Sequence, residues 1–339
     1  MIKIGTNNCL KIGTNNCLKI GTNNCLKIGT NNCLKIGTDC SGIEAPIEAL
    51  KNICNKYNLS YEHEFSSEIS EYAEEYIKNN HNPKILFNDM TKRKSKDIPY
   101  VDIYVSGFPC QPYSRANKFK TPVDPRLNLF EDCIRVIKTV NPKFFILENV
   151  KTLVTLNNGT YFNDILKRLN DINKYSIYHK VINSKELGIP QSRDRLYIIG
   201  VLNKDKKNEF TFPENKPMKN INDFVDKSNK SKNEIKESNI ELFNNVPNDS
   251  VFIDTGFRDA KFPNSNKWAP CITAQPNMWC VPMGRKASVK EYFWLQGFDP
   301  DDKKITLSDH RMKILIGNSM TVNVIEELMI NGLLSISII

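Results

Sequence analysis

From residue 35 onward, apolar residues alternate between short continuous runs and helical spacing. The runs VDIYVS at 101–106 and LYIIGVL at 196–202 have the length of buried strands. Over 43–57 the apolar residues recur every three or four positions, which is typical of an amphipathic helix. Because strands and helices follow each other in this way, we predict an α/β protein with a doubly wound, mainly parallel, Rossmann-like sheet and helices on both faces.

The same pattern sets the bounds of the predicted elements and divides the chain. The predicted strands cover residues 35–38, 61–66, 83–87, 101–106, 143–150, 175–182 and 196–202. The predicted helices cover residues 43–57, 70–80, 129–140, 161–170 and 310–330. Residues 203–250 are rich in Lys, Asn, Asp and Glu, with few apolar anchors. We therefore expect an α/β domain over 35–202, a smaller irregular domain over 203–305, and a C-terminal helical segment over 306–339 that packs back on the first domain.

The first 34 residues contain a repeat. The unit KIGTNNCL occurs four times unchanged, and a diverging fifth copy, KIGTDCSG, begins at Lys35. Four octamers would bury little apolar surface, whereas stacked-repeat folds use periods of about 20 residues or more. We expect residues 1–34 to be disordered or non-essential, with a short β-array or an interaction arm as the alternative. The fifth copy is continuous with the α/β domain and is expected to supply its first strand.

Composition narrows the class of protein. The formal net charge of +9 favours a polyanionic partner such as nucleic acid. No apolar run approaches the roughly 18 residues that a transmembrane helix needs, and the N-terminus lacks the apolar core of a signal peptide, so we expect a cytoplasmic protein without a membrane partner. The ten cysteines include no C-x-x-C pair and no Cys/His cluster, so we expect no metal site.

Acidic residues follow three successive predicted strands. Ligands of parallel α/β sheets bind at the carboxyl ends of the strands, so these positions are candidate binding residues. The segment Asp39-Cys40-Ser41-Gly42 follows the first strand, Glu68 the second and Asp89 the third. Such acids suit a nucleoside, because one carboxylate can accept from both ribose hydroxyls and another from the adenine amino group. For any single acid, capping of the next helix is the alternative.

A second group of residues suits nucleophilic chemistry. Cys110 follows the strand 101–106, and Glu148 lies at the end of the strand 143–150. A cysteine attacks as its thiolate, although a plain core thiol is the alternative for Cys110, as a helix cap is for Glu148. Arg193 and Arg195 lie in QSRDR, and alternate residues of an extended segment share a face. The two arginines suit a phosphate or a developing anion, with a solvated surface pair as the alternative.

Together these segments resemble the cytosine-C5 DNA methyltransferase family, over roughly residues 35–330. The elements Pro-Cys-Gln, Glu-Asn-Val, Gln-x-Arg-x-Arg, Leu-Gln-Gly-Phe and Gly-Asn-Ser are short alone and specific in combination. They come in the family's order. The matching segments are TDCSGIEAPIEAL, SSEISEYAEEYIKNNH, NDM, GFPCQPYS, DPRLNLFEDCIRVI, ILENVKTL, QSRDRLYIIG, RKASVKEYFWLQGF and IGNSMTVNV.

The resemblance implies a reaction and a role for each catalytic residue. Cys110 would attack carbon 6 of the cytosine, and Glu148 would hold or protonate ring nitrogen 3. Carbon 5 then behaves as an enamine carbon and accepts a methyl group. Arg193 would contact the base or the loop that carries Cys110, and Arg195 would support it.

The resemblance also implies S-adenosyl-L-methionine as the cofactor. Glu68 would bind its ribose and Asp89 its adenine amino group. The other residues expected at the cofactor site are Asp39, Cys40, Ser41, Gly42, Ile43, Ile69, Met90, Pro109, Asn318 and Ser319.

Double-stranded DNA is the implied partner. A stacked base is out of reach of this chemistry, so the target cytosine must be flipped out of the helix. The loop 111–128 would close over the base, with Gln111, Ser114 and Gln191 as substrate contacts. Residues from about 204 to 283 would read the sequence in the major groove, which makes the small domain a target-recognition domain. The protein is expected to act as a monomer, with a cognate restriction endonuclease acting separately.

Several positions depart from the family's pattern. Cys40 stands where the family usually has a Phe, and Glu44 and Ala45 replace glycines, which leaves the cofactor loop without a stacking ring and with less backbone freedom. Trp294 replaces an Arg, and Met320 replaces a Val. None of these touches the chemical step, so activity is still expected.

Two alternatives remain open at this point. One is a tRNA cytosine-C5 methyltransferase on the same scaffold, since Cys271-Ile272-Thr273 is similar to the Cys-Phe-Thr element typical of that branch. RNA recognition would favour splayed single strands. The other is an inactive DNA-binding relative, which the joint presence of Cys110, Glu148, Arg193 and Arg195 disfavours.

Overall fold

A computed structural model describes most of the chain. The described residues are 9–12, 16–20, 26–27, 33–109, 129–235, 239–256, 262 and 264–339. Cys110, Gln111, Ser114 and the rest of the predicted loop 111–128 lie outside them.

Parts of the repeat array form strands. The described backbone has three of them, β1 (Cys9–Ile12), β2 (Asn16–Ile20) and β3 (Leu26–Lys27). They pair antiparallel in the order β1-β2-β3, as a sheet separate from the main one.

A seven-stranded sheet forms the centre of the α/β region. Its strands are β4 (Cys33–Asp39), β5 (Ser60–Ser67), β6 (Ile85–Phe87), β7 (Ile103–Ser106), β8 (Phe144–Val150), β9 (Tyr175–Asn183) and β10 (Asp194–Leu202). Their spatial order is β6-β5-β4-β7-β8-β10-β9. The first five are parallel, and β10 runs antiparallel to both β8 and β9. The prediction of a mainly parallel, doubly wound sheet is confirmed.

The remaining elements are helices and one small sheet. The described helices are α1 (Ala45–Tyr57), α2 (Glu71–Asn80), α3 (Leu129–Val140), α4 (Thr160–Asn170), α5 (Ile240–Asn244), α6 (Val289–Leu295), α7 (Asp309–Asn318) and α8 (Val322–Ser335). The small antiparallel sheet comprises β11 (Phe252–Asp254), β12 (Met278–Cys280) and β13 (Arg285–Lys286). Short 3-10 helices cover Ser95–Asp97, Lys151–Val154, Leu156–Gly159, Ser184–Glu186 and Ile221–Phe224.

The sheet separates two apolar cores. On β8, Phe144 and Ile146 belong to the core under α1 and α8, whereas Phe145 and Leu147 belong to the core under α3 and α4. All four side chains are fully buried. This alternation follows from the period of two of a β-strand, and burial on both faces explains the continuous apolar run in the sequence.

The first strand of the sheet starts earlier than predicted. It begins at Cys33, so the last two residues of the fourth repeat copy belong to it. Leu34 is buried in the core and pairs with Tyr61 of β5. The expected strand, 35–38, was too short because the boundary between repeat copies is not a structural boundary.

The predicted C-terminal helix, 310–330, is two helices. The break at 319–321 has a physical cause, because the carbonyl of Ser319 accepts from Arg193 Nη2 at 2.6 Å and from Gln296 Nε2 at 3.0 Å. Side chains from other segments thus take hydrogen bonds that a continuous helix would make internally.

Candidate active site

The carboxyl ends of β4, β5, β6 and β7, together with the end of β8, surround a cavity of about 360 Å3. Many of the residues predicted for the site line it: Cys40, Gly42, Glu68, Ile69, Asp89, Met90, Pro109, Glu148, Arg193, Arg195 and Asn318. The volume lies in the range of small-molecule sites, about 300–1,000 Å3. Strand ends that are far apart in sequence therefore meet as the α/β topology requires.

Glu68 organises one end of this cavity. Its Oε2 accepts from the main-chain N–H of Gly42 at 2.8 Å, and its Oε1 accepts from the N–H groups of Ile69 and Ser70, both at 3.0 Å. Gly42 has φ +57°, and a Cβ there would meet nothing within 4 Å. The glycine is needed for its backbone conformation rather than for space.

Asp89 follows β6 and is fixed by its own loop. Its Oδ1 accepts from the main-chain N–H and the hydroxyl of Thr91, at 2.9 and 2.7 Å. Lys92 Nζ lies 3.2 Å from Oδ2. Although burial acts in the opposite direction, the Thr91 hydrogen bonds and Lys92 lower the pKa of Asp89. The carboxylate is thus ionised and held in one orientation at the cavity wall.

Four residues predicted at the cofactor site lie behind the wall instead of lining it. Asp39, Ser41, Ile43 and Ser319 are all buried, and none of them is among the residues that line the cavity. Ser41 Oγ donates to the carbonyl of Ser67, and Ser319 Oγ donates to the carbonyl of Met320. Their side chains support the backbone of the binding loops.

Glu148 and Arg195 form an ion pair in the cavity wall. Arg195 Nε lies 3.2 Å from Glu148 Oε1, and both side chains are mostly buried, with 16% and 12% exposed. Burial alone would lower the pKa of Arg195, but the Glu148 carboxylate more than offsets this and raises it. The pair brings a carboxyl group and a permanent cation together beside Pro109, the residue before Cys110.

Arg193 holds main-chain carbonyls rather than a carboxylate. Its Nη1 donates to the carbonyls of Ile272 and Gly317, at 2.6 and 3.2 Å, and its Nη2 donates to that of Ser319. Burial first, and then the charge of Arg195, lower its pKa. The side chain joins β10, the segment around Cys271 and the end of α7. Its Nη1 also lies 3.8 Å from Cys271 Sγ.

A family model for C-5 cytosine-specific DNA methylases matches residues 38–331. The chain belongs to the C-5 cytosine-specific DNA methylase family. Its activity is transfer of a methyl group to carbon 5 of cytosine in DNA.

Named relatives agree with this family, and solved structures agree with its fold. The methylase is 35% identical over 283 residues to the Type II methyltransferase M.HaeII of Haemophilus aegyptius, covering 79% of this chain and 86% of that protein. It is 34% identical over 272 residues to M.NgoBI of Neisseria gonorrhoeae, covering 77% and 83%. Its fold matches a putative DNA modification methyltransferase from an E. coli prophage with a TM-score of 0.68 at 16% identity, over 90% of this chain and 100% of that one. It also matches the Entamoeba histolytica methyltransferase EhMeth with a TM-score of 0.66 at 21% identity, over 89% and 98%.

The side chain of Gln191 in the methylase makes its hydrogen bonds within the protein interior. Its Nε2 donates to the carbonyl of Leu295 at 2.6 Å and to Gln296 Oε1 at 2.9 Å, and its Oε1 accepts from the N–H of Ile272. The side chain is fully buried. In this structure the residue predicted as a substrate contact connects the QSRDR segment to α6.

Three further residues support the candidate site, and none of them is among the site residues predicted from the sequence. Asn149 Nδ2 donates to the carbonyl of Phe108. The Glu-Asn-Val element contains Asn149 and could have identified it from the sequence. Arg93 pairs with Asp39 under the cofactor loop. Gly317 allows close packing, because a Cβ there would lie 2.0 Å from the carbonyl oxygen of Thr273. The Gly-Asn-Ser element contains Gly317 and could have identified it from the sequence.

The described part of the chain lacks two kinds of feature. No helix within it is both long and apolar enough to cross a membrane. It also contains no cluster of three His, Cys, Asp or Glu residues that could hold a metal ion.

Proposed function

We propose that this methylase uses S-adenosylmethionine to modify a flipped cytosine in a short duplex sequence through a covalent adduct with Cys110. The observation that carries the proposal is the Glu148–Arg195 pair, at 3.2 Å, in the wall of a cavity that Pro109 also lines. That cavity joins the predicted catalytic residues to the predicted cofactor residues in a single space.

The described residues fit the cofactor. Carboxylates at two strand ends, Glu68 and Asp89, provide acceptors for hydroxyl and amino groups, and Gly42 leaves its backbone open to a ligand. Met90 and Ile69 add apolar surface for a ring. Bound there, S-adenosylmethionine supplies an electrophilic methyl group for carbon 5.

The chain's own residues account for the activation of the base. The thiolate of Cys110 adds to carbon 6 and forms a C–S bond, while Glu148 holds or protonates ring nitrogen 3. The electron pair of the former 5,6 double bond then makes carbon 5 nucleophilic. After methylation, carbon 5 loses its proton to water, the C–S bond breaks, and any proton on ring nitrogen 3 returns to Glu148, which restores the thiolate and leaves 5-methylcytosine. Activation of a weak nucleophile by neighbouring groups is typical of covalent catalysis.

The two arginines have different roles in this proposal. Arg195 fixes the orientation of Glu148 toward the base, since its Nε faces one carboxylate oxygen and its Nη1 is held by the carbonyl of Asp194 at 2.8 Å. Arg193 holds the walls of the site together through three carbonyls. We therefore expect loss of Arg195 to affect the chemical step directly and loss of Arg193 to affect the shape of the site.

The region between the catalytic residues and the C-terminus would contact DNA. We propose that residues from about 204 to 283 read the sequence in the major groove, and that Gln111 and Ser114 contact the flipped base. The Type II designation of the named relatives supports a restriction–modification setting, with a separate endonuclease. We propose that the methylase acts there as a monomer in the cytoplasm.

The test is methyl transfer from labelled S-adenosylmethionine, with duplex DNA and tRNA assayed side by side. Wild-type protein is expected to label DNA at one short sequence, located by bisulfite sequencing. Cys110→Ser and Glu148→Gln are expected to lose at least a hundredfold in rate, within the range of about 10²–10⁴ for acid–base groups. Cys33→Ser, which changes an exposed thiol at the start of β4, is the matched control and is expected to be fully active.

Two outcomes would contradict the proposal. Labelling of tRNA alone would replace DNA by tRNA as the substrate. Full activity of Cys110→Ser would remove the covalent adduct from the mechanism.

A further inference from the structure

The loop between β4 and α1 has an unusual backbone. Three of its residues lie in the left-handed region, Cys40 with φ 49°, Gly42 with φ 57° and Glu44 with φ 62°. Glycine adopts this conformation at no steric cost, whereas other residues are strained in it and stay there only when their surroundings hold them. Some interaction of the glutamate must therefore hold the strained backbone.

The Glu44 carboxylate is fully buried and accepts from hydroxyl groups of two neighbouring strands. Thr38 Oγ1, near the end of β4, lies 3.0 and 3.1 Å from its two oxygens. Ser66 Oγ, near the end of β5, donates to Oε1 at 2.6 Å. The side chain thus fixes the loop to both strands at once.

A histidine completes this network. His63 Nε2 lies 2.8 Å from Ser66 Oγ. Burial lowers the pKa of His63 to about 4, so its ring is neutral near pH 7. Since Ser66 donates to Glu44, its oxygen accepts from His63 Nε2–H. The donors of His63, Ser66 and Thr38 therefore all point toward the carboxylate.

The network is adjacent to the cofactor cavity without lining it. The main-chain N–H of Glu44 donates to the carbonyl of Ser41 at 2.9 Å, and Gly42 is bonded to Glu68. Cys40, Gly42 and Glu68 line the cavity, whereas Glu44 does not. Any effect of Glu44 on a ligand must pass through the loop.

Helix capping does not explain the glutamate. Glu44 is the N-cap residue of α1, but its side chain makes no capping hydrogen bond to the helix. The ordinary benefit of an acidic N-cap is a bond to the N2 or N3 N–H group. The carboxylate points to the strands instead.

We propose that Glu44 is a positioning residue that holds the cofactor loop, residues 40–43, in its binding conformation through the hydroxyls of Thr38 and Ser66. The inference rests on the proposed S-adenosylmethionine site.

The experiment compares two replacements of Glu44 that make opposite demands on the loop. Glu44→Gly relieves the backbone strain but removes the carboxylate, whereas Glu44→Gln keeps an acceptor oxygen and the strain. We expect Glu44→Gly to raise the calorimetric Kd and the KM for S-adenosylmethionine about tenfold, as the loss of its hydrogen bonds to Thr38 and Ser66 implies. The kcat at saturating cofactor is expected to stay within about twofold. Glu44→Gln is expected to retain most of the affinity.

Asn58→Gly is the matched control. Asn58 ends the same helix in the same left-handed conformation, with φ 53°. Its replacement relieves backbone strain without touching the network, so the Kd for S-adenosylmethionine is expected to be unchanged. A purely structural role of Glu44 would lower the melting temperature of Glu44→Gly and leave this Kd unaltered.

The remaining outcomes separate this inference from the proposed function. If wild-type protein binds S-adenosylmethionine and Glu44→Gly binds it equally well or more tightly, the inference is wrong and the proposed function stands. If wild-type protein does not bind it, both are wrong. Should Glu44→Gly not fold, the double variant Thr38→Val, Ser66→Ala removes both donors, and an unaltered Kd there would overturn the inference.

Discussion

The side-chain amide of Asn149 donates a hydrogen bond of 3.0 Å to the main-chain carbonyl of Phe108. Asn149 is buried near the end of β8, and Phe108 lies two residues before Cys110. The bond fixes the start of the segment that carries the proposed nucleophile to the strand that carries Glu148. The two proposed catalytic groups are therefore positioned by adjacent elements of one sheet.

Loss of this bond is expected to slow the chemical step. Asn149→Ala leaves the buried Phe108 carbonyl without a donor, which costs about 1–3 kcal/mol. We expect kcat to fall about ten- to a hundredfold, measured by single-turnover methyl transfer. Asn170→Ala is the control, because Asn170 Nδ2 makes the same kind of bond to the carbonyl of Leu166, at 2.9 Å, on an exposed surface. Equal rates for Asn149→Ala and Asn170→Ala would show that the bond does not position the nucleophile.

A buried ion pair lies under the cofactor loop. Arg93 Nη2 pairs with Asp39 Oδ2, and the two side chains are 1% and 0% exposed. Tyr104 OH donates to the same oxygen at 2.7 Å, and the guanidinium lies over the rings of Phe65 and Phe87. Although burial opposes the charge, the Asp39 carboxylate raises the pKa of Arg93. The pair joins the end of β4 to the loop that follows β6.

Removing only the arginine of this pair is expected to lower the stability of the protein. Arg93→Met leaves Asp39 as an uncompensated buried charge, which destabilises a protein by about 3–5 kcal/mol. The double variant Arg93→Met, Asp39→Asn removes that charge, so we expect it to be more stable than Arg93→Met alone in chemical denaturation. Lys92→Met, at a side chain that is 83% exposed, is expected to change stability by less than about 1 kcal/mol. A double variant that is no more stable than Arg93→Met alone would contradict the coupling.

The sequence was sufficient to predict the parts of the site that strand ends determine. Glu68, Asp89 and Glu148 come at or just after apolar runs, and a parallel sheet brings such positions together. The sequence was insufficient where burial depends on tertiary contacts. Arg93 lies in the polar segment TKRKSK, and nothing in that pattern separates it from its exposed lysine neighbours.

Tertiary contacts also explain why the sequence did not predict the burial of Gln191 or the break between α7 and α8. Gln191 belongs to a motif that suggested substrate contact, yet its amide is satisfied by Leu295, Gln296 and Ile272, which are about 80 to 105 residues away in sequence. The break between α7 and α8 depends on donors from Arg193 and Gln296. Hydrogen bonds between such distant segments leave no local pattern, so periodicity alone does not predict them.

The pH dependence of stability is expected to report on Glu44. Burial raises the pKa of this carboxyl from 4.5 to about 7, and the nearby Glu68 charge adds to the effect. Hydrogen bonds from the hydroxyls of Ser66, Ser41 and Thr38 act in the opposite direction but are too weak to cancel it. The folded protein thus holds the proton more tightly than the unfolded chain. The resulting stability is fully present below about pH 4.5 and is lost as the pH rises through about 7.

Glu44→Gln is neutral at every pH and should lack this dependence. We expect wild type to lose about 2–3 kcal/mol of stability relative to Glu44→Gln between pH 4.5 and pH 8, measured by urea unfolding at each pH. His63, bonded to Ser66, stays neutral across this window because burial lowers its pKa to about 4. Parallel stability curves for the two proteins would show that Glu44 does not titrate there.

Deletion of residues 3–34 is expected to leave the methylase folded and active. The deletion joins Met1-Ile2 directly to Lys35, so Ile2 takes the place of Leu34, which is 2% exposed, and Met1 takes that of the exposed Cys33. An apolar residue thus returns to the buried position that pairs with Tyr61, and β4 keeps its length. We expect unchanged methyl transfer and a melting temperature within about 2 °C of wild type, equivalent to about 1 kcal/mol.

A deletion that is two residues longer provides the control. Removing residues 3–36 places Ile2 at the position of Ile36 and leaves no residue for positions 33 and 34 of β4, which pair with Ser60 and Tyr61. The core then loses the Leu34 side chain, and large-to-small changes at such sites cost about 2–5 kcal/mol. We therefore expect a clear fall in melting temperature for this protein alone. Unfolding or inactivity of the shorter deletion would mean that the array over 1–34 contributes more than the last two residues to the fold.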